Sequence, residues 1–308
     1  METNKPKAST QRHLVIFLLL AWGITWLCWI PTLLIADSRG YILPTIPKID
    51  QLLAEGFKDP QHVLLSLVFS LGVYGPLVGA LVATYRHAER KGLADLVART
   101  TKWRVNVKWY AIALGVAIAI AIVPRLIAEL TGQIQAGGTA ERWTAPTLLG
   151  FFLWQLLTSS LGEEPGWRGY LLPHLRKRQS TGRTVWILGL IWAVWHYPFT
   201  AYDTLSNVGP APAIQSVVTV VMALLGQTMS LVGMTHIYVW LYSHTESVFL
   251  AIVFHALTNF LPAVLLAGVK PSLSLLVAVM PWIVVLVLDQ VDSLENEREG
   301  SMKAEPQK

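Results

Sequence analysis

Eight stretches of this chain stay apolar for roughly the distance that crosses a lipid bilayer: 14–36, 62–85, 109–130, 147–175, 184–202, 213–242, 247–267 and 272–288. About 20 apolar residues span the hydrocarbon core as a helix. Lipid offers no partner for an unpaired N–H or C=O, so such a run must satisfy its backbone internally and is helical. A β-barrel does not fit. Its segments alternate in polarity over about 10 residues, and these runs are apolar all round. The expected fold is all-α, a polytopic transmembrane helix bundle of about eight spans. Composition agrees: 53% of residues are hydrophobic and only 14% charged, where soluble domains carry about 25% charged residues. The expected setting is an integral membrane protein of the plasma or inner membrane, with membrane lipids as its surroundings.

Residues 1–13 read as a polar, basic cytoplasmic tail, 14–288 as the bundle and 289–308 as a polar C-terminal tail expected to be disordered. The first apolar run is longer than a signal-peptide core and lacks a clear small-residue cleavage site, so it reads as a retained helix. Lys and Arg placement sets the orientation. The loop after the second span carries Arg86, Arg90, Lys91, Arg99, Lys102, Arg104 and Lys108. The loop after the fourth carries Arg176, Lys177, Arg178 and Arg183. The opposite loops offer Arg142 and Lys270, with Arg39, Lys48 and Lys58 spread over a longer, mixed first loop. Both termini are therefore expected in the cytosol. The net charge of +5 reflects these loops and calls for no nucleic acid. Within 92–108, Leu93, Leu96, Val97 and Trp103 among basic residues suggest a short interfacial helix. Cys28 is the single cysteine, so no internal disulfide can form. No internal repeat is evident, which leaves an inverted-repeat transporter without direct support.

The polar residues inside the spans are few. The fourth span has Glu163, Glu164 and Arg168, the fifth His196, the seventh His255 and Asn259. Charges near a bilayer centre cost about 2.5–3.5 kcal/mol each on insertion scales, so they face a bundle interior or a wet cavity and mark function. At a rise of about 1.5 Å per residue, Glu163, His196 and Asn259 each lie about 18 Å from the basic-loop end of their helix, and His255 about 12 Å. Three helices thus put polar groups at one depth, which predicts a membrane-embedded polar cavity. Glu164 and Arg168 are four apart and can pair. Glu163 is turned about 100° away along a regular helix and is left as the unpaired carboxylate. Pro165-Gly166 and Pro198 break the backbone beside these groups, as irregular structure lining a cavity allows.

These residue types suit hydrolysis. A carboxylate in an apolar pocket makes a base that works near neutral pH. A histidine within reach helps hold or deprotonate water. A second histidine with an asparagine can donate to a developing oxyanion. Two histidines and a carboxylate (Glu163, His196, His255) can also bind a divalent metal such as zinc, though His-Glu-x-x-His is absent. Single buried histidines are more often structural, and His62, His174 and His236 read that way. Arg125 and Glu129 read as an ion pair at the end of the third span.

The series Glu163-Glu164-x-x-x-Arg168, Trp192-x-x-x-His196 and His255-x-x-x-Asn259 resembles the three motifs of the CAAX-protease and bacteriocin-processing family of intramembrane proteases, which includes the Ras-converting CAAX endopeptidases. The resemblance covers about 147–265, and Gly166-Trp167-Arg168-Gly169-Tyr170-Leu171-Leu172-Pro173 is similar to bacterial members. The family's second motif often begins with Phe where Trp192 stands, and an aromatic packing role is expected there. The resemblance implies an intramembrane endopeptidase acting on a membrane-associated or lipidated protein or peptide, by a metallo- or glutamate-type mechanism. It implies Glu163 as general base with His196 beside it, and His255 and Asn259 stabilising the tetrahedral intermediate. The cavity is expected to open to the cytosolic side. A proton- or cation-coupled transporter is the alternative, since Asp, Glu and His chains also relay protons. An inactive scaffold or immunity protein is a third.

Overall fold

A computed structural model describes residues 6–134, 143–208 and 212–304. Arg142 and the first five residues lie outside them. The order is α1 (Pro6–Arg39), a 3-10 turn (Ile46–Lys48), α2 (Ile49–Glu55), α3 (Pro60–Gly72), α4 (Gly75–Thr100), α5 (Val107–Leu130) and α6 (Ala145–Gln155). A π-turn (Leu156–Ser160), α7 (Leu161–Glu164), a second π-turn (Pro165–Leu171) and α8 (Leu172–Arg176) follow. The chain ends in α9 (Thr181–Val208), α10 (Ala213–Thr245), α11 (Val248–Leu265) and α12 (Ser274–Ala304). Among the described residues β-structure is limited to one bridge, Ile134 to Val269. The all-α reading holds.

A helix occupies each of the eight apolar stretches, but they are not equivalent. Among the described residues five helices are continuous and apolar enough to cross a bilayer, and a sixth if α3 and α4, bent by 43° at their junction, are taken as one span. The fourth stretch is cut into α6, α7 and α8 by the π-turns. The fifth, α9, is diluted by three tryptophans, His196, Tyr197 and Pro198. The two segments that fall short as plain spans are the two that carry the first two motifs. Polar and aromatic groups lower the hydropathy there.

The basic segments share one face. His13 near the start of α1 lies 5.0 Å, ring to ring, from His87. Lys102 Nζ donates to the Thr245 carbonyl at 2.9 Å, and Ser247 Oγ to the Lys102 carbonyl at 2.6 Å. Trp240 Nε1 donates to Asp292 at 2.9 Å, which brings α12 back to the same side. On the opposite face Lys270 N–H donates to the Gln133 carbonyl at 2.9 Å. There the first loop folds inward. His62 is fully buried and donates from Nε2 to the Ile42 carbonyl at 2.7 Å, so its structural reading stands. Asp59 caps α3 by accepting from the His62 N–H at 2.9 Å. The Tyr41 hydroxyl also donates to Asp59 and holds its carboxyl below the usual range.

Arg125 and Glu129 pair as read, at 2.6 Å. Two other expectations change. The helix expected within 92–108 is the second half of α4, reached through a break at Glu89 (φ 49°) and ending at Thr100; Leu96 on it is buried, and Trp103, in the loop beyond it, is exposed. The tail from Asp289, expected to be disordered, continues α12 to Ala304. Glu, Arg, Met, Lys and Ala there favour helix, and extending an existing helix needs no new nucleus.

Candidate active site

The glutamate pair is placed by close backbone packing. A Cβ on Gly162 would lie 2.9 Å from the Val73 carbonyl oxygen, and one on Gly166 would lie 2.6 Å from that of Pro76. Only glycine lets this segment meet the α3–α4 bend so closely. Pro165 has no N–H to give the Leu161 carbonyl, and the backbone answers with a π-turn. π-turns recur at functional sites because they re-aim side chains.

Glu163, Glu164, Arg168 and His255 are all buried, with Glu164 and Arg168 wholly so. Arg168 Nη1 donates to Glu164 Oε1 at 2.9 Å. Its guanidinium lies against the rings of Trp192 (4.2 Å) and Tyr238 (3.7 Å), which meet edge to face, two cation–π contacts that suit a planar, weakly hydrated cation. His255 Nδ1 donates to the same Glu164 oxygen at 2.6 Å. Glu164 therefore holds Arg168 and His255 together.

Glu163 is not unpartnered. Its Oε2 accepts from Trp192 Nε1 at 2.7 Å and from Trp167 Nε1 at 3.3 Å. Its Oε1 faces His255 Nε2 at 3.9 Å. Both carboxylates thus converge on one imidazole, one at each nitrogen. A regular 100° step forbids them a common point, but the two nitrogens of a ring lying between them do not.

His196 donates from Nδ1 to the Trp192 carbonyl at 2.9 Å, which leaves Nε2 as the nitrogen available. Asn259 Nδ2 donates to Gln155 Oε1 at 3.1 Å, and Ser159 Oγ to the same oxygen at 3.2 Å. Glu163, His196, His255 and Asn259 all line one cavity of about 330 Å³. Glu164 and Arg168 do not line it and stand behind it. Aromatic rings of Trp29, Phe69, Trp154 and Phe199 make up much of the rest of the wall.

Three features were missed. Trp192 was assigned to packing, yet its indole N–H is the shortest bond to Glu163. Gln155 was not singled out. It stands at the four-residue spacing Gln155, Ser159, Glu163, a polar line in an apolar run that the sequence does display. Tyr238 on α10, the second ring on Arg168, had no such signal. The metal set of Glu163, His196 and His255 is not brought together as ligands. The three share the cavity wall, but among the described residues no three His, Cys, Asp or Glu side chains converge to hold an ion.

The cavity does not extend towards the basic loops, the side expected to be cytosolic. It extends instead to Pro44, Thr45 and Ile46 on the opposite face. Below Glu163 the layer of Trp167, Arg168, Leu171 and Leu172 is packed shut.

Fold and site together define a class: a polytopic helical membrane protein with a carboxylate, histidine and amide site inside its bundle. Residues 145–261 match the family described as type II CAAX prenyl endopeptidase Rce1-like. The resemblance drawn from the three motifs is borne out, and all seven motif residues fall inside that segment. The chain is also similar to a CAAX prenyl protease 2 of Methanococcus maripaludis, 31% identical over 108 residues. That stretch covers 35% of this chain and 38% of the relative.

Proposed function

We propose that this chain is an intramembrane endopeptidase that hydrolyses a peptide bond of a membrane-associated protein or peptide with a glutamate-activated water. The observation that carries the reading is the 3.9 Å gap between Glu163 Oε1 and His255 Nε2 inside the cavity. It is too long for a direct hydrogen bond and suits one water bonded to both. With Nδ1 donating to Glu164, neutral His255 presents Nε2 as an acceptor. Two acceptors then face the same water, and Glu163 takes its proton as the hydroxide adds to the scissile carbonyl. Trp192 and Trp167 fix the carboxylate so that Oε1 carries out the transfer. The proton then passes to the leaving amine.

Asn259 has a second amide N–H beyond the one bonded to Gln155, and this N–H serves the oxyanion. Gln155 holds that amide in position. His196, a lone-pair donor at Nε2 once Nδ1 is committed, accepts from the water or the substrate amide. The resemblance to CAAX prenyl endopeptidases supports a substrate that reaches the site from the membrane. The start of α1 and the second half of α12 share the basic face, which we assign to the cytosol.

The test is turnover of a quenched-fluorescent peptide library by purified protein in lipid, with and without chelator. Cleavage lost in Glu163→Gln and kept in chelator supports a glutamate-type mechanism. Cleavage abolished by chelator and restored by zinc assigns the water to a metal instead. Absence of cleavage of any peptide by folded protein counts against the whole reading.

A further inference from the structure

Sideways the cavity reaches Ile120 on α5, Met234 on α10 and Pro281 on α12, but across the membrane it extends away from the basic loops. From Glu163 it runs to Pro44, Thr45 and Ile46. A second cavity of about 80 Å³ adjoins it at Thr45 and Phe199 and reaches Lys48, Gln51 and Asp203 on the same face. Towards the basic loops the way is closed. Arg99 Nη1 donates to the Gly169 carbonyl at 2.6 Å and contacts the Tyr242 hydroxyl at 3.2 Å, tying α4, the second π-turn and α10 across the bottom of the site. Among the described residues, no wall residue of either cavity comes from 86–108 or 176–183. Those segments hold the densest Lys and Arg clusters in the chain, and clusters in short loops stay in the cytosol.

We propose that the site is loaded from the extracytoplasmic face. Its substrates are then membrane-anchored or exported polypeptides whose scissile segment emerges on the outer side of the bilayer, not prenylated tails presented from the cytosol. The substrate class rests on the peptidase reading; the loading side does not. The ten residues from His255 to the outer end of α11 at Leu265 rise about 15 Å. An extended chain covers that depth in about five residues. The substrate must therefore thread an unfolded segment of about that length. Trp29, Phe69 and Phe199 along the path favour apolar side chains in it.

Single-cysteine variants in a Cys28→Ser background, treated with a membrane-impermeant maleimide on intact cells, test the side directly. Gln51→Cys at the rim and Thr45→Cys in the wall are expected to label in intact cells, and Ser180→Cys only after permeabilisation. Ile46→Cys replaces Thr45→Cys if that variant does not insert. Labelling of Ser180→Cys in intact cells with Gln51→Cys protected overturns the proposal. So does a wall cysteine that labels only after permeabilisation. In a second arm, the peptide library is offered to sealed right-side-out and inverted vesicles. Turnover is expected in the right-side-out preparation, and turnover confined to inverted vesicles overturns the proposal. No turnover in either, nor after solubilisation, defeats the peptidase reading, and the maleimide result still decides the loading side.

Discussion

Glu163 is held by two indole N–H groups, while the neighbouring Glu164 takes the guanidinium. Glu163 faces the cavity, whereas Glu164 stands behind it and is committed to Arg168 and His255, so the two carboxylates divide into base and support. Glu163→Gln should insert and melt like the parent and lose about 10²–10⁴-fold in turnover, the usual share of a general base. Glu164→Gln leaves Arg168 buried without its counter-charge, a loss of roughly 3–5 kcal/mol, and also frees His255. It should lower the melting temperature and the turnover together. Equal melting of the two variants would remove this division of roles. Trp192→Phe keeps the ring over Arg168 and removes the 2.7 Å donor. A hydrogen bond to a charged group contributes roughly 1.5 kcal/mol or more, which is about tenfold in rate if felt in the transition state. The expected outcome is a fall in kcat with KM little changed; an unaltered kcat assigns Trp192 to packing. Glu163, His196, His255 and Asn259 were legible because polar side chains in apolar runs are conspicuous. The Trp192 N–H was not, because hydropathy counts the ring and ignores the one donor on it.

The π-turns on either side of α7 decide what the glutamates can reach, and neither was legible. Pro165 announced an irregularity, but proline alone does not say whether the chain kinks, breaks or widens. What selects the wide turn is the bent α3–α4 junction lying against Gly162 and Gly166, a contact between segments about 90 residues apart in sequence. Gly166→Ala places a methyl 2.6 Å from both Cβ and the carbonyl oxygen of Pro76, atoms that cannot rotate away. Overpacking of this kind costs about 1–3 kcal/mol or more. The variant is expected to melt lower and to lose turnover, because the shift passes straight into Glu163 and Glu164. Gly115→Ala on α5, with open space at its Cβ, is the matched control and should melt no lower than the parent. If both variants behave alike, the close approach does not set the geometry of the turn.

The bundle as a whole is asymmetric across the membrane. Depth along each helix was legible from a rise of 1.5 Å per residue, so the meeting of three helices at one level could be read from spacing. The direction in which the void opens could not. It depends on the first loop folding inward at Pro44–Ile46 and on Arg99 reaching Gly169, and neither contact has a periodic signature in sequence. Arg99 also pairs with Asp95 at 2.8 Å, but that carboxylate is exposed and such a pair contributes little. The bond to the buried Gly169 carbonyl is the stronger, at about 1.5–3 kcal/mol for a charged donor. Arg99→Ala is therefore expected to cost about 2 kcal/mol, seen as a lower thermal midpoint. Turnover per folded molecule should persist, since Arg99 does not line the cavity. Arg99→Lys keeps the charge without the planar fork and should fall between. Asp95→Ala should leave the midpoint unchanged. If Asp95→Ala destabilises as much as Arg99→Ala, the surface pair and not the tie across three helices holds this face closed.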